Sequence, residues 1–242
     1  MNGTATELTC IDATLREVVE TVPGWSPFEQ LLSLFTLGYH AARLGDLLEI
    51  GSWCGRSMVA LGLAAKSAGS AHVHCVDAFP ERDDWYENAD GTFSYRVVTE
   101  TGVMRGHADQ TVWAVPFRRD IVPTYERWGS LMKAFLASRE RFGLTDVVTP
   151  HRMSAAAFFS GPGRAHRYGL VFIDGEHSYE AVSHDMDAAI ERLVVGGTLC
   201  MDDAFTSYDG VTSAIRERID NRASPLRQPV RVTRKLFAAV KA

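Results

Sequence analysis

Four short apolar runs in this chain each stop at a glycine or an aspartate, with helix-like segments between them. The runs are Leu47–Ile50 before Gly51, His72–Val76 before Asp77, Gly169–Ile173 before Asp174, and Thr198–Met201 before Asp202 and Asp203. Strands that alternate with helices demand right-handed crossovers, and so a mostly parallel sheet covered by helices on both faces. Such sheets bind ligands beyond the carboxyl ends of their strands. The glycine turn and the aspartates are therefore expected on one rim.

The remaining segments fit this order. Residues 7–44 read as helical, broken at Pro23-Gly24. Ser26-Pro27 reads as the N-cap and first residue of a second helix, which aligns Phe28, Leu31, Leu32, Phe35 and Ala41 on one buried face. Further helices are expected at 56–67, 124–142, 178–193 and 209–221, with a shorter one opening at Ser154. Further strands are expected at 146–149, 229–233 and 236–240. Together these make a doubly wound, Rossmann-like α/β fold: one domain over 1–242, a seven-stranded and mostly parallel sheet, and an N-terminal helical segment at 1–45. Residues 79–123 break the rhythm, with Trp85, Tyr86, Phe93, Tyr95, Trp113 and Phe117 set among polar residues without a steady period. A structureless loop of that length is unusual in a compact domain. The segment reads as an insertion or lid that touches substrate, or as a surface subdomain or oligomer contact.

Composition narrows the function classes. The chain has 242 residues, 46% hydrophobic and 23% charged, enough for one sizeable core. No apolar stretch approaches the roughly 20 residues of a membrane span. The first residues lack a basic start and an apolar segment, so no secretory leader is expected. Cys10, Cys54, Cys75 and Cys200 are scattered without a CxxC pair and are expected as reduced thiols of a cytoplasmic protein. A net charge of −5 and a pI near 5.9 argue against nucleic acid as a partner, because phosphate contacts need a basic face. Arg118-Arg119 and the tail Arg227, Arg231, Arg234, Lys235 are the candidates for a local basic patch, and neighbouring arginines of this kind read as solvated surface rather than a phosphate site.

The first rim loop runs Glu49-Ile50-Gly51-Ser52-Trp53-Cys54-Gly55-Arg56-Ser57. Glycines at a strand-to-helix turn let backbone approach a ligand, and the helix start attracts its negative part. Trp53 and Arg56 depart from the GxGxxG dinucleotide pattern and fill space a pyrophosphate needs. Asp77, at the end of the next strand, suits the two hydroxyls of a ribose; alternatively it caps the next helix. LLEIGSWCGRS followed by CVDAF resembles motifs I and II of the class I S-adenosylmethionine-dependent methyltransferases. The resemblance implies that Gly51, with Ser52, Gly55 and Ser57, holds the methionine part of the cofactor. It further implies that Glu49 supports the amino group, that Asp77 binds ribose, and that Ser154 approaches adenine.

The stretch FIDGEHSYEAVSHDMDAAIERLVVGGTLCMDD, residues 172–203, carries the second half of the rim. Neighbouring strands lie about 5 Å apart, so Asp174, Asp202 and Asp203 converge, an arrangement that calls for a neutralising cation. Oxygen-rich sets suit magnesium, calcium or manganese. Alternatively, one aspartate caps a helix and the others face water. This stretch resembles the macrocin-type sugar O-methyltransferases and the related cephalosporin hydroxylase group. That resemblance implies Mg2+ or another divalent cation on Asp174, Asp202 and Asp203. It also implies a small-molecule sugar or glycoside acceptor, and a homodimer or higher oligomer. Asp174, Glu176 and His177 are the candidate catalytic bases, with His107 and His151 as outside candidates. A phenol or catechol acceptor, a hydroxylase-like enzyme and a cofactor-binding accessory protein are the alternatives.

Overall fold

The computed structural model describes residues 3–99, 102–105 and 112–242. Two N-terminal helices, α1 (Gly3–Thr21) and α2 (Phe28–Ala41), lead into β1 (Asp46–Ile50), α3 (Arg56–Ala68) and β2 (Val73–Asp77). Helix α2 starts one residue later than its sequence suggests, with Pro27 rather than Ser26 at the cap. After β2 come a 3-10 turn (Arg82–Asp84) and the strands β3 (Trp85–Glu87), β4 (Phe93–Thr99) and β5 (Gly102–Arg105), which pair antiparallel. A helical run follows: α4 (Ala114–Pro116), a π-helical turn (Phe117–Ile121), α5 (Val122–Trp128) and α6 (Leu131–Arg141).

The single helix expected over 124–142 is therefore two. Gly129 takes φ +78°, and the Ser130 hydroxyl accepts the Lys133 N–H to start α6, as a serine N-cap does. The chain then forms β6 (Val148–Arg152), α7 (Ala155–Ser160), β7 (Tyr168–Ile173), α8 (Tyr179–Arg192), β8 (Leu193–Met201), α9 (Asp209–Asp220), β9 (Leu226–Arg231) and β10 (Phe237–Lys241). Strand β6 starts two residues later than expected because 144–147 close a turn on α6, with Val147 and Val148 N–H both donated to Leu144 O.

Seven strands form one sheet in the order β6-β2-β1-β7-β8-β10-β9. The first five run parallel, and β10 pairs antiparallel with both β8 and β9. One face is covered by α1, α2, α3 and α6 through Leu15, Leu31, Leu34, Met58, Leu61 and Phe135. The other is covered by α7, α8 and α9 through Phe158, Val182, Met186, Val211 and Ile215. The expected doubly wound architecture is thus present, and the carboxyl ends of β1, β2, β7 and β8 share one rim. None of the described helices is long and apolar enough to cross a membrane.

Candidate active site

A cavity of about 720 Å³ lies over that rim. Gly51, Ser52, Trp53, Ser57, Asp77, Ser154, Asp174, Glu176, His177, Asp202 and Asp203 all line it, so most of the expected residues do converge. Glu49 and Gly55 do not. Gly55 is the left-handed N-cap of α3 at φ +87°, where a Cβ would sit 2.5 Å from Met58 Cε. Its requirement is packing and backbone shape. Glu49 lies under the loop, fully buried. Burial pushes its carboxyl up to about 7. Neither oxygen has a partner at hydrogen-bond geometry, although Ser52, Ser57 and Cys75 lie near enough to offset part of the effect.

Two backbone features shape the loop. Gly51 has φ +89°, and a Cβ there would lie 2.0 Å from the Asp174 carbonyl oxygen. The loop is therefore pressed against the exit of β7. Trp53 also has positive φ, +49°, uncommon for a bulky residue. Its N–H is held at 2.8 Å by Asp77 Oδ2, while Asp77 Oδ1 accepts the Phe79 N–H at 2.5 Å. Burial raises the Asp77 pKa, and these backbone donors pull against it. Asp77 thus stitches the loop to the end of β2 while standing in the cavity wall. Next to Asp77, whose carbonyl accepts the Met153 N–H at 3.2 Å, the Ser154 hydroxyl accepts the Ala157 N–H and caps α7.

Trp53 continues into an aromatic wall, packed against Trp25 at 5.4 Å and Trp85 at 6.4 Å between ring centroids. Trp85 is fixed by donating Nε1–H to Tyr125 Oη at 2.8 Å. The chain around Trp25 is held by Arg56, whose guanidinium donates to the carbonyls of Val19, Val22 and Ser26. An arginine at the start of α3 thereby clamps the α1–α2 link onto the cavity.

The acidic side holds a residue that its sequence context places on the surface. Lys235, from the basic tail, turns inward: its Nζ lies 2.7 Å from Asp202 Oδ2 and 3.5 Å from Asp203 Oδ1. No local signal marks it. Pairing of Phe237 with Met201 brings the start of β10 beside the end of β8, and the Lys235 carbonyl accepts the Ala204 N–H at 2.9 Å. Burial would lower the Lys235 pKa, but Asp202, Asp174 and Asp203 outweigh it and raise it.

Asp203 takes φ +51°, a left-handed conformation that aspartate tolerates better than most residues. Its Oδ2 lies 3.2 Å from His177 Nε2, and the imidazole stacks on Tyr208 at 3.9 Å. Burial works against the Asp203 charge, yet His177 and Lys235 together hold the carboxyl below its ordinary range. Asp174 is the opposite case: burial first, then Asp202, pushes it well above.

The expected metal ligands Asp174, Asp202 and Asp203 all line the cavity. Asp202 Oδ2 also pairs with Lys235, and among the described residues the donor atoms of Asp174, His177 and Asp203 lie within 4.8 Å of one another. A divalent ion is still chemically compatible with the cluster. Lys235 offsets only part of the negative charge, Asp174 stays raised despite it, and Asp202 Oδ1 is buried without a partner.

His151 does not reach the cavity; it sits in β6 and hydrogen-bonds His74. His107 lies outside the described residues. Asp185, on α8, joins the site although no sequence motif singled it out. It lines the cavity with Ala181 and His184, an i, i+3, i+4 spacing that the sequence does display. Burial pushes Asp185 up to about 6, with His184 opposing and Glu176 adding to the rise.

Residues 48–204 match the family model described as a methyltransferase domain. The chain belongs to that family. Solved structures agree on the fold. The O-methyltransferase NovP is 17% identical, with 89% of this chain and 80% of that one covered at a TM-score of 0.57. The calicheamicin methyltransferase CalS11 is 17% identical, covering 97% and 92% at 0.54. An O-methyltransferase from Bacillus cereus in complex with SAH is 16% identical, covering 95% and 91% at 0.56. No curated protein sequence matches the chain.

Proposed function

We propose that this methyltransferase moves the methyl group of S-adenosylmethionine to a hydroxyl oxygen of a small molecule, a sugar or glycoside, with Mg2+ or another divalent cation at the acidic cluster. The observation that carries the reading is the division of one cavity into two walls. On one stand the positive-φ loop, Asp77 and Ser154; on the other stand Asp174, His177 and Asp203.

The cofactor, when bound, supplies a sulfonium-activated methyl group. The loop residues suit it: Ser52 stands in the lining, and the Glu49 carboxyl buried beneath the loop, offset only in part by Ser52, Ser57 and Cys75, favours a ligand that brings positive charge. Asp77 keeps lone pairs for ribose hydroxyls. Asp174 and Asp203, with the unpartnered Oδ1 of Asp202, are the residues that would hold a divalent ion, which lowers the pKa of a bound hydroxyl.

The acceptor proton needs a base, and His177 is favoured. With Nε2–H directed to Asp203, its lone pair lies on Nδ1, the arrangement in which a carboxylate orients a general base. Asp174, pushed well up by burial and by Asp202, tends to hold a proton already and so is less often free to take one. Glu176, which accepts the Ser178 hydroxyl proton at 2.5 Å, lines the same wall and is the second candidate. The Trp25–Trp53–Trp85 wall suits a sugar ring, which stacks on aromatic faces. It also suits a phenol or catechol, the alternative acceptor. The similarity in fold to NovP, an O-methyltransferase, and to a calicheamicin methyltransferase supports screening hydroxyl-bearing small molecules, glycosides first.

Calorimetric titration of S-adenosylmethionine, with NAD and a nonspecific RNA as controls, tests the first wall. Micromolar binding of the cofactor alone is expected; no binding would remove the reading. A panel of glycosides and phenols, scored by mass gain of one methyl, tests the second. Asp202→Ala with Asp203→Ala is expected to abolish turnover and leave cofactor affinity intact. The reverse pattern would overturn the division of the cavity.

A further inference from the structure

Beside the amino ends of β1, β2 and β7, outside the cavity lining, four histidines and an aspartate gather. Asp46 opens β1, His74 is the second residue of β2, and His166 precedes β7; His72 immediately precedes β2, and His151 is the fourth residue of β6. None of the five lines the cavity.

Asp46 Oδ2 lies 3.9 Å from His74 Nε2 and 3.6 Å from His166 Nδ1. Hydrogen bonds of this type close at about 2.7–3.2 Å, so these groups point at one another without bonding. Ligands on a tetrahedral ion with bonds of about 2.0–2.1 Å are separated by about 3.3–3.6 Å. The donor atoms of the three residues all lie within 4.8 Å of one another. Contraction of the two Asp46 distances by up to about half an ångström brings them to the spacing of a shared coordination sphere.

Each inner donor is also oriented from behind. The His72 N–H donates to Asp46 Oδ1 at 2.9 Å, leaving Oδ2 to face the two imidazoles. His74 Nδ1 is 3.1 Å from His151 Nε2. If that contact is His74 Nδ1–H donating, the His74 lone pair is on Nε2, a buried atom with no partner. Fixing the far nitrogen of a ligating histidine is the usual outer-shell arrangement of metal sites. The side chains of Asp46 and His166 are 31% and 38% exposed, which leaves an entry path and room for a water ligand.

We propose that Asp46, His74 and His166 bind a zinc-class divalent transition ion, with water completing the coordination. Two nitrogen donors and one carboxylate favour such an ion over Mg2+ or Ca2+. The ion ties β1, β2 and the entry to β7 together at the end of the sheet opposite the cavity. The proposal is independent of the methyl-transfer reading.

The test uses the full chain, stripped with chelator and titrated with Zn2+ by calorimetry and with Co2+ by visible absorption. Wild type and His177→Asn are expected to bind one ion at this site with the same affinity. His166→Gln and Asp46→Asn are expected to lose it, and His151→Phe to weaken it about 10–100-fold. Zn2+ should raise the melting temperature of wild type and not that of His166→Gln. The half-exposed position of His166 keeps that variant folded, which circular dichroism checks. Absence of Zn2+ binding by wild type would overturn the proposal. So would binding that His177→Asn removes while His166→Gln and Asp46→Asn retain it, since the ion would then sit in the cavity.

Discussion

Replacing Lys235 with methionine tests how the acidic cluster is held together. The substitution keeps most of the side-chain volume and removes the ammonium 2.7 Å from Asp202 and 3.5 Å from Asp203. Deleting one partner of a buried ion pair leaves a charge uncompensated, at a cost of about 3–5 kcal/mol. Solvent screens little of it, because the side chains of Lys235 and Asp202 are 18% and 2% exposed. The cluster has one escape, which is to bind a proton. For a carboxyl with an ordinary pKa near 3.9, that costs about 1.4 kcal/mol per pH unit, or about 4 kcal/mol at pH 7 and about 2 kcal/mol at pH 5.5. The loss in Lys235→Met is therefore expected at about 3–4 kcal/mol at pH 7, narrowing to about 2 kcal/mol at pH 5.5.

The sign follows from both states. In the wild type the raised Lys235 contributes stability that is complete below its unfolded pKa and is lost only as pH rises through the folded one. Between pH 5.5 and 7 that contribution is constant. The pH dependence belongs to the variant, whose cluster gains a proton as pH falls. Urea unfolding of chelator-treated protein at the two pH values measures both numbers. A loss under about 1 kcal/mol at pH 7, or the same loss at both pH values, would refute Lys235 as the internal counter-charge.

Gly51→Ala is expected to cost about 2–4 kcal/mol, from overpacking against the Asp174 carbonyl together with the left-handed backbone, and to abolish cofactor binding; unchanged melting and affinity would exclude the loop as the pocket. Asp77→Ala should weaken S-adenosylmethionine in calorimetry more than it slows turnover at saturating cofactor, and the opposite split would assign Asp77 to the reacting side. His177→Asn should lower kcat about 10²–10⁴-fold with cofactor affinity unchanged; a full rate would pass the role of base to Glu176. Asp185 has a folded pKa raised to about 6, so it costs stability progressively as pH rises from the unfolded carboxyl's value of about 3.9 to about 6, and by a constant amount above that. Asp185→Asn should accordingly be more stable than wild type at pH 8, by up to about 3 kcal/mol, with the gain lost by pH 4. Denaturant titrations at the two pH values would count against this if the gain were equal at both.

Elements with a strong local period are legible in the chain itself. The order of strands and helices, the helix starts near Ser154 and Ser178, and the common rim of Gly51, Asp77, Asp174, Asp202 and Asp203 all follow from spacing over a few residues. Boundaries shift where a turn competes with the period, as at Gly129-Ser130 and 144–147. Glu49 lies on the strand its sequence indicates, but its side chain alternates to the buried face beneath the loop instead of the cavity wall.

What the sequence determined by itself is therefore the local code: which segments pair as parallel strands, and which residues end them. Tertiary structure alone decided which distant groups meet. Lys235 reads as one more cation in an exposed tail until the antiparallel return of β10 sets it against Asp202. Asp46, His74 and His166 share no motif, because their nearness arises from the register of three strands. Arg56 reaches back to the link that carries Trp25 only once α3 packs on the N-terminal helices. In each case the energy of the contact depends on burial and on a partner more than 20 residues away, and neither quantity is encoded in any window of the chain.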